Sequence, residues 1–270
     1  MVSGGTTPDL NGVGERDMDD LYADWAPIYD YFYPDRSDEV RFWAELVGSP
    51  MQHVLDLMCG TAEVSLALAR RGHRLLGVDR SPAMLGVAAD RLAGAADFPA
   101  RNLSLVQADA GAIPAPDHAF DVALVGGNGS FNHLDDEQAP KALAELGRVL
   151  RPGGRLGLEL INPYLLKEIY PVRTFGPLRP PPPGVHVEKT SENRYDPEAE
   201  RFHIRQVTRY QVDGKDGVFE GSFSLRVRRP EEIRWMLEAR GFCDVRFVGS
   251  YDLEPFSCWS SDLLVVASKA

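Results

Sequence analysis

Three carboxylates close short apolar runs in the first half of the chain, where they can accept hydrogen bonds from a sugar and a base. Asp56 ends the run V-L-D-L ahead of a turn reading Met58-Cys59-Gly60-Thr61. Asp79 ends L-L-G-V-D nineteen residues beyond Gly60, the separation at which a βα unit offers a carboxylate to both hydroxyls of a ribose. Asp109 ends V-Q-A-D-A, placed for the exocyclic amine of an adenine, with the backbone amide of Ala110 beside it. A fourth run, F-D-V-A-L-V, leads into the turn Gly126-Gly127-Asn128-Gly129. A dinucleotide site needs G-x-G-x-x-G so that backbone amides can approach a pyrophosphate. Here Gly60 stands alone, with Met58 and Ala62 where close-approach glycines would sit. The turn is therefore shaped for a nucleoside without a pyrophosphate, and Ala62 is expected to start the next helix without strain.

His133 follows the fourth run in G-G-N-G-S-F-N-H-L-D-D. A histidine at a loop edge suits general-base work, its ordinary pKa being near neutrality, and equally suits holding its own loop by hydrogen bonds. The six histidines, at 53, 73, 118, 133, 186 and 203, show no ligand spacing, so no metal is expected. Cys59, Cys243 and Cys258 form no CxxC pair and leave an odd thiol, which fits a reducing compartment. With 40 acidic against 29 basic residues the chain carries a net charge of −11, which repels a phosphate backbone and argues against a nucleic-acid partner. No apolar run approaches the roughly 20 residues that span a bilayer, and Met1 to Asp20 carries no basic n-region followed by an apolar core. A cytoplasmic protein without a membrane partner is expected; a homodimer is a candidate assembly on which the sequence is silent.

The elements that must position these residues follow from periodicity. Between His53 and Ile161 apolar runs alternate with helical patterns, as in βαβ units feeding a mostly parallel sheet. Strands are expected at His53–Leu57, Arg74–Val78, Leu103–Gln107, Phe120–Val125 and Arg155–Leu160, and helices at Thr61–Arg71, Pro82–Leu92 and Glu137–Leu150. Pro152-Gly153-Gly154 stops the last helix. Residues 1–16 read as a disordered leader and 17–50 as an N-terminal helical lid rich in rings, including Tyr22, Trp25, Tyr29 and Tyr33. Pro177 and Pro180–Pro183 form a stiff connector. An antiparallel insert of two or three strands is expected within 164–227, followed by a helix at Pro230–Arg240 and strands at Asp244–Val248 and Leu263–Ser268. Residues 51–163 and 228–270 then make the core. Arg201, His203, Arg205 and Arg209 share one face of an insert strand, either as a stripe for an acidic acceptor or as a solvated face.

Asp56, Cys59-Gly60-Thr61, Asp79, Asp109-Ala110, Phe120-Asp121 and Arg151-Pro152-Gly153-Gly154 resemble, in this order, the motifs of class I S-adenosylmethionine (SAM)-dependent methyltransferases. The resemblance covers most of the chain. It implies an α/β, Rossmann-like, doubly wound seven-stranded sheet, with SAM as cofactor. It also implies a cofactor set of Tyr22, Tyr29, Asp56, Met58, Cys59, Gly60, Thr61, Asp79, Arg80, Met84, Asp109, Ala110, Gly126, Gly127 and Asn128. Gly126 to Asp136 is similar to the G-N-S-F-x-H-L turn of glycine and sarcosine N-methyltransferases, with Gly129 as an extra residue. Those enzymes hold the substrate carboxylate with an arginine where this chain has Ile161, so glycine is not the expected acceptor. The C-terminal run resembles bacterial natural-product methyltransferases acting on amino sugars and peptides. The acceptor implied is a small or short peptidic secondary metabolite, methylated at an amine or hydroxyl. Trp25, Tyr33, Ser130, Phe131, Asn162 and Glu254 would line its pocket, with His133 and Tyr29 as the catalytic candidates. The alternatives are a repurposed cyclase or decarboxylase and a non-catalytic binding subunit.

Overall fold

The structure, a computed structural model, describes residues 18–270 apart from 34, 96–99, 128, 167–171, 179, 182 and 213. The expected leader and Asn128 lie outside the described residues. The chain divides into two compact units, one of Met1–Asp35 with Leu166–Ser224 and one of Arg36–Leu165 with Leu225–Ala270.

The second unit is built on seven strands: β1 (His53–Leu57), β2 (Arg74–Asp79), β3 (Leu103–Gln107), β4 (Phe120–Val125), β5 (Leu150–Leu160), β10 (Phe242–Val248) and β11 (Leu263–Lys269). Their order is β3-β2-β1-β4-β5-β11-β10. The first five run parallel, and β11 is antiparallel to both β5 and β10. Four of the five β1 residues are buried, as a strand covered on both faces must be. Helices α2 (Ser37–Val47) and α3 (Glu63–Arg70) cover one face through Val40, Trp43, Val47, Val64 and Leu68. Helices α5 (Gln138–Val149) and α6 (Pro230–Glu238) cover the other through Leu143, Leu146, Ile233 and Leu237. Each contributes apolar residues at three- and four-residue spacing, the stripe that a surface helix buries. A further helix, α4 (Pro82–Ala93), starts at Ser81, whose hydroxyl accepts the Met84 amide at 3.3 Å. Among the described helices, none is long and apolar enough to cross a membrane.

The first unit holds α1 (Met18–Trp25), a 3-10 turn over Ala26–Phe32, and a four-stranded sheet of order β6-β7-β8-β9. These strands are β6 (Val172–Phe175), β7 (His186–Asp196), β8 (Arg201–Val212) and β9 (Lys215–Arg226). The insert thus has four strands instead of the expected two or three. β6 escaped notice because four residues are too short to show an alternation. The expected lid over 17–50 is divided. α2 packs with the parallel sheet, because its stripe of Val40, Trp43 and Val47 joins the β1 and β4 core. Only the segment up to Asp35 goes with the antiparallel strands.

The basic stripe of β8 finds its explanation in the β7 register: Arg201 opposes Asp196, Arg205 opposes Glu192 and Arg209 opposes Glu188. Opposed residues of an antiparallel pair project from the same face. The stripe is therefore an ordinary mixed-charge face, not a concentration of positive charge.

Candidate functional site

Parallel strands β1, β2, β3 and β4 end on one edge, and β1 and β4 lie side by side where the chain order reverses. That is the position at which open α/β sheets bind ligands. The residues there come from the loops that follow these four strands.

The first turn is the most constrained. Met58, Gly60 and Ala62 all have positive φ, at 60°, 55° and 55°. Cys59 ties the turn to both neighbours: its amide donates to the Val78 carbonyl at 3.0 Å and its carbonyl accepts the Ala62 amide at 2.9 Å. The expectation that Ala62 begins the helix without strain is corrected. Ala62 is the left-handed residue ahead of α3, a conformation costing roughly 1–2 kcal/mol for a residue with a Cβ. A Cβ placed on Gly60 would meet no atom within 4 Å, so this corner of the turn faces open space. The Cys59 thiol is pushed well above its usual pKa by burial, with Asp56 and Asp79 adding to the effect, which makes it a packing group and not a nucleophile.

Asp79 links the first turn to the second. Its Oδ2 accepts the Gly60 amide at 2.8 Å and its Oδ1 accepts the Ser81 amide at 2.9 Å. Each oxygen keeps a further lone pair for another donor. Burial nonetheless raises its pKa, the backbone donors only partly compensating. Asp56 is buried deeper and accepts the Ser65 hydroxyl at 2.5 Å. Its pKa is raised to about 7 by burial, with Glu39 and Asp79 pushing the same way and Ser65 and Arg36 opposing.

Sequence reasoning placed α2 within the lid and passed over its chemistry. Glu39, buried, accepts the Trp43 indole N–H and the Gly127 amide, both at 3.3 Å, and pairs with Arg36 at 3.2 Å. Arg36 also lies 3.7 Å from Glu63, and its Nη1 would sit 3.9 Å from a Cβ on Gly127. A cation and two carboxylates thus stand at the Gly126-Gly127 turn. The one signal in the sequence was an acid, Glu39, four residues before Trp43 on the apolar stripe.

Arg80 is exposed, and its carbonyl accepts the Gln107 side chain at 3.1 Å. Met84 is buried beneath the second turn, and Thr61 is held by Arg91 at 3.1 Å through its carbonyl. Asp109 is exposed and folds onto the Gly111 amide at 2.8 Å, beside the buried Ala110. The Gly129 to His133 segment is pinned by Asn132, which donates to the Arg226 carbonyl at 2.7 Å and accepts the Ile161 amide at 3.0 Å. Phe131 is fully buried under the Arg228 guanidinium, 5.6 Å from the ring centre. Arg228 in turn donates to the Leu134 and Asp135 carbonyls, both at 2.9 Å. Ser130 closes onto the Gly127 carbonyl at 3.5 Å. His133 is driven to a pKa of about 4 by burial, with the Arg80 charge adding, so its imidazole stays neutral at physiological pH. Asn162 donates to the Ser260 carbonyl at 2.7 Å and accepts the Tyr164 amide at 3.0 Å, while Glu254 is exposed.

The remaining aromatic candidates belong to the other unit. Trp25 is buried, stacked on Phe32 at 5.2 Å and tilted against Phe219 at 4.9 Å. Tyr22 meets Phe223 at 6.3 Å, and Tyr29 meets Tyr33 at 4.4 Å. Among the described residues, no group of three or more His, Cys, Asp or Glu side chains is arranged to hold a metal.

Residues 54–154 match the family described as a methyltransferase domain. A ubiquinone/menaquinone biosynthesis C-methyltransferase from Geobacter sulfurreducens is 36% identical over 173 residues, 60% of this chain and 65% of the relative. The chain spans 62–65% of the length of four such curated quinone-pathway relatives. A SAM-dependent methyltransferase from Clostridium acetobutylicum superposes with a TM-score of 0.75 at 18% identity, covering 92% of this chain and 99% of that one. The sugar N-methyltransferase KedS8 from Streptoalloteichus superposes with a TM-score of 0.67 at 20% identity, covering 100% of this chain and 98% of that one. The chain therefore shares the Rossmann-like fold of these structures, and residues 54–154 are similar to methyltransferase domains.

Proposed function

Starting from that fold and domain, we propose that the chain is a SAM-dependent methyltransferase acting on an amine of a small acceptor. The observation that carries the cofactor half is Asp79, a half-buried carboxylate fixed by the Gly60 and Ser81 amides and still able to accept two ribose hydroxyls. The fit is consistent at the neighbouring positions. The left-handed turn at Gly60 leaves room for a nucleoside to approach the backbone. Asp56 and Glu39 provide negative charge for the methionine ammonium and sulfonium, and Arg36 provides a cation for the methionine carboxylate. Asp109 with Ala110 is assigned to the adenine. When bound, SAM supplies a methyl group on a sulfonium to a nucleophile.

The protein's own part is positional. Holding an acceptor lone pair in line with the methyl carbon contributes several kcal/mol through alignment alone. His133, kept neutral by burial, orients the acceptor as a hydrogen-bonding group but takes a full proton poorly. This favours an amine, whose lone pair needs no base once the nitrogen is neutral, over a hydroxyl that must lose its proton. The sugar N-methyltransferase fold neighbour supports the amine; the quinone relatives are the reason to test carbon and oxygen acceptors alongside.

The test is titration calorimetry of the full chain with SAM and S-adenosylhomocysteine, in wild type and in Asp79→Ala, followed by mass spectrometry of amine, phenol and hydroquinone panels. Both adenosyl ligands should bind, with affinity reduced roughly 100-fold in the variant as two charge-assisted hydrogen bonds are lost. Products heavier by CH₂ should come from amines. Absence of adenosyl binding overturns the cofactor reading, and methylation confined to hydroquinones overturns the amine.

A further inference from the structure

The segment that carries His133 is a single 3-10 turn over Ser130–His133, a form whose hydrogen bonds are poorly aligned and which stays short. Its own bonds are few: the Asn132 amide donates to the Gly129 carbonyl at 2.9 Å and the Leu134 amide to the Phe131 carbonyl at 3.2 Å. At Leu134 the backbone becomes extended, so the carbonyls that follow leave the helical pattern. On one side of His133 the turn is fixed by Asn132, through the Arg226 carbonyl and the Ile161 amide. On the other it is fixed by Arg228, whose Nη2 donates to the Leu134 and Asp135 carbonyls at 2.9 Å each and whose guanidinium covers the Phe131 ring. All of these residues belong to the parallel unit.

Arg226, two residues earlier, is the internal control. The same two carboxylates, Asp136 and Glu232, lie near both arginines. Arg226 approaches them at 2.9 and 3.2 Å. Arg228 stands back at 3.5 and 3.7 Å, and its short bonds go to the backbone instead. Its side chain is fully buried, and its Nε and Nη1 have no hydrogen-bond partner among the described residues. A desolvated cation with nitrogens left over is a costly way to fill space, and an apolar side chain would fill it better. What the guanidinium alone supplies is a flat group that reaches two carbonyls and covers an aromatic ring at once.

We propose that Arg228 is a positioning residue for methyl transfer: by gripping Phe131, Leu134 and Asp135 it holds His133 in place for the acceptor. The role in transfer rests on the methyltransferase reading, whereas the grip itself does not.

NMR titration of the His133 imidazole in the full chain, assigned with His133→Asn, tests the grip without any acceptor. Burial holds this imidazole at a pKa of about 4, with the Arg80 charge adding. In Arg228→Met it should titrate roughly a unit or more higher, towards its ordinary range, as the loosened turn admits water. Arg228→Lys keeps a cationic side chain and loses the guanidinium, and it should move His133 in the same direction. An unchanged His133 in both variants overturns the proposal. A change in Arg228→Met alone also overturns it, because the cause is then charge and not position. If Arg228→Met does not fold, Arg228→Lys decides alone. On an amine that the wild type methylates, kcat should fall roughly tenfold or more in Arg228→Lys while SAM affinity stays within about twofold. A loss of SAM affinity in proportion to kcat means support of the whole site and overturns the positioning role. A wild type that binds no SAM overturns the methyltransferase reading alone, and the His133 titration then still decides whether Arg228 grips the turn.

Discussion

Asp56 in the parallel unit is a buried ionisable side chain and Lys189 in the antiparallel unit a half-buried one, and their surroundings treat them differently. Asp56 has a hydroxyl donating to it and a cation, Arg36, among its neighbours, yet burial, with two further acids adding, pushes its pKa up to about 7. Lys189 has aromatic faces at 5.0 and 5.5 Å, and burial alone lowers its pKa to about 8. The first site has an excess of negative charge, which a cationic ligand relieves. The second holds a desolvated ammonium beside aromatic rings. Both units thus hold charge under conditions that folding alone does not favour, as ligand sites do. Under the proposed function SAM brings the cation to the first.

The largest effect expected is on Asp56. The folded protein holds this proton up to about pH 7, whereas an unfolded carboxyl releases it near 3.8. Between those values the folded state binds more protons, so stability falls as pH rises and levels off above 7. At about 1.4 kcal/mol per unit, the loss is at most about 4 kcal/mol. Urea unfolding of wild type and Asp56→Asn at intervals from pH 4 to 8 should show the difference between them growing in that direction. The ionised carboxyl is also the form that favours a cation, so SAM affinity should fall by up to about tenfold per pH unit below 7 in wild type and stay flatter in the variant. A constant stability difference across the range would break the comparison on this side.

Lys189 should show the mirror image at higher pH. An unfolded lysine keeps its proton to 10.5, while the folded one releases it near 8. The unfolded state therefore binds more protons between these values, and stability rises with pH there, by at most about 3 kcal/mol. Lys189→Met should flatten this rise and should itself be no less stable at pH 7, because it removes a desolvated charge while keeping most of the side-chain volume. A variant that loses stability at pH 7 and retains the slope would show that the lysine is well compensated where it stands.

How far these features were legible in the sequence depended on whether the governing contacts were local. Asp56, Asp79 and Asp109 were read correctly as strand-end acids because a strand, a turn and a helix in succession mark their own boundaries within a few residues. The fourfold insert was read short, and the β8 arginines stayed ambiguous. What decides them is the register with Glu188, Glu192 and Asp196 on another strand, which no local pattern encodes. Arg36 and Glu39 were invisible as site residues for the same reason: their partners Glu63 and Gly127 lie far along the chain. The left-handed residues Met58 and Ala62 were hidden differently, since neither residue type advertises positive φ.

Gly129 sharpens the account of the parallel unit at a smaller scale. Its φ is +92°, and a Cβ there would lie 2.8 Å from Ile161 Cγ1 and 3.2 Å from Asn132 Oδ1. Gly129→Ala should therefore cost about 2 kcal/mol from strain and overlap together, read as a lowered urea midpoint. Because Asn132 and Ile161 pin the segment that ends in His133, turnover should fall by more than SAM affinity does. Equal losses in both would mean that the segment serves the cofactor and not the acceptor.

The smallest effect has the opposite sign. Ala62 occupies a left-handed conformation at φ 55°, with its side chain buried and the first turn of α3 beginning immediately after it. Glycine adopts that conformation without the Cβ clash, so Ala62→Gly relieves roughly 1 kcal/mol of strain, partly offset by the greater freedom of glycine in the unfolded chain and by the loss of one buried methyl. The net expectation is a gain of about 0.5 kcal/mol, measured as a higher denaturant midpoint at unchanged slope. SAM affinity should rise or stay level, because the Cys59–Ala62 hydrogen bond that shapes the turn is made by backbone atoms and survives the change. If stability falls instead, the buried methyl outweighs the strain. The alanine would then be a packing choice that this turn makes in place of the glycine its geometry otherwise calls for.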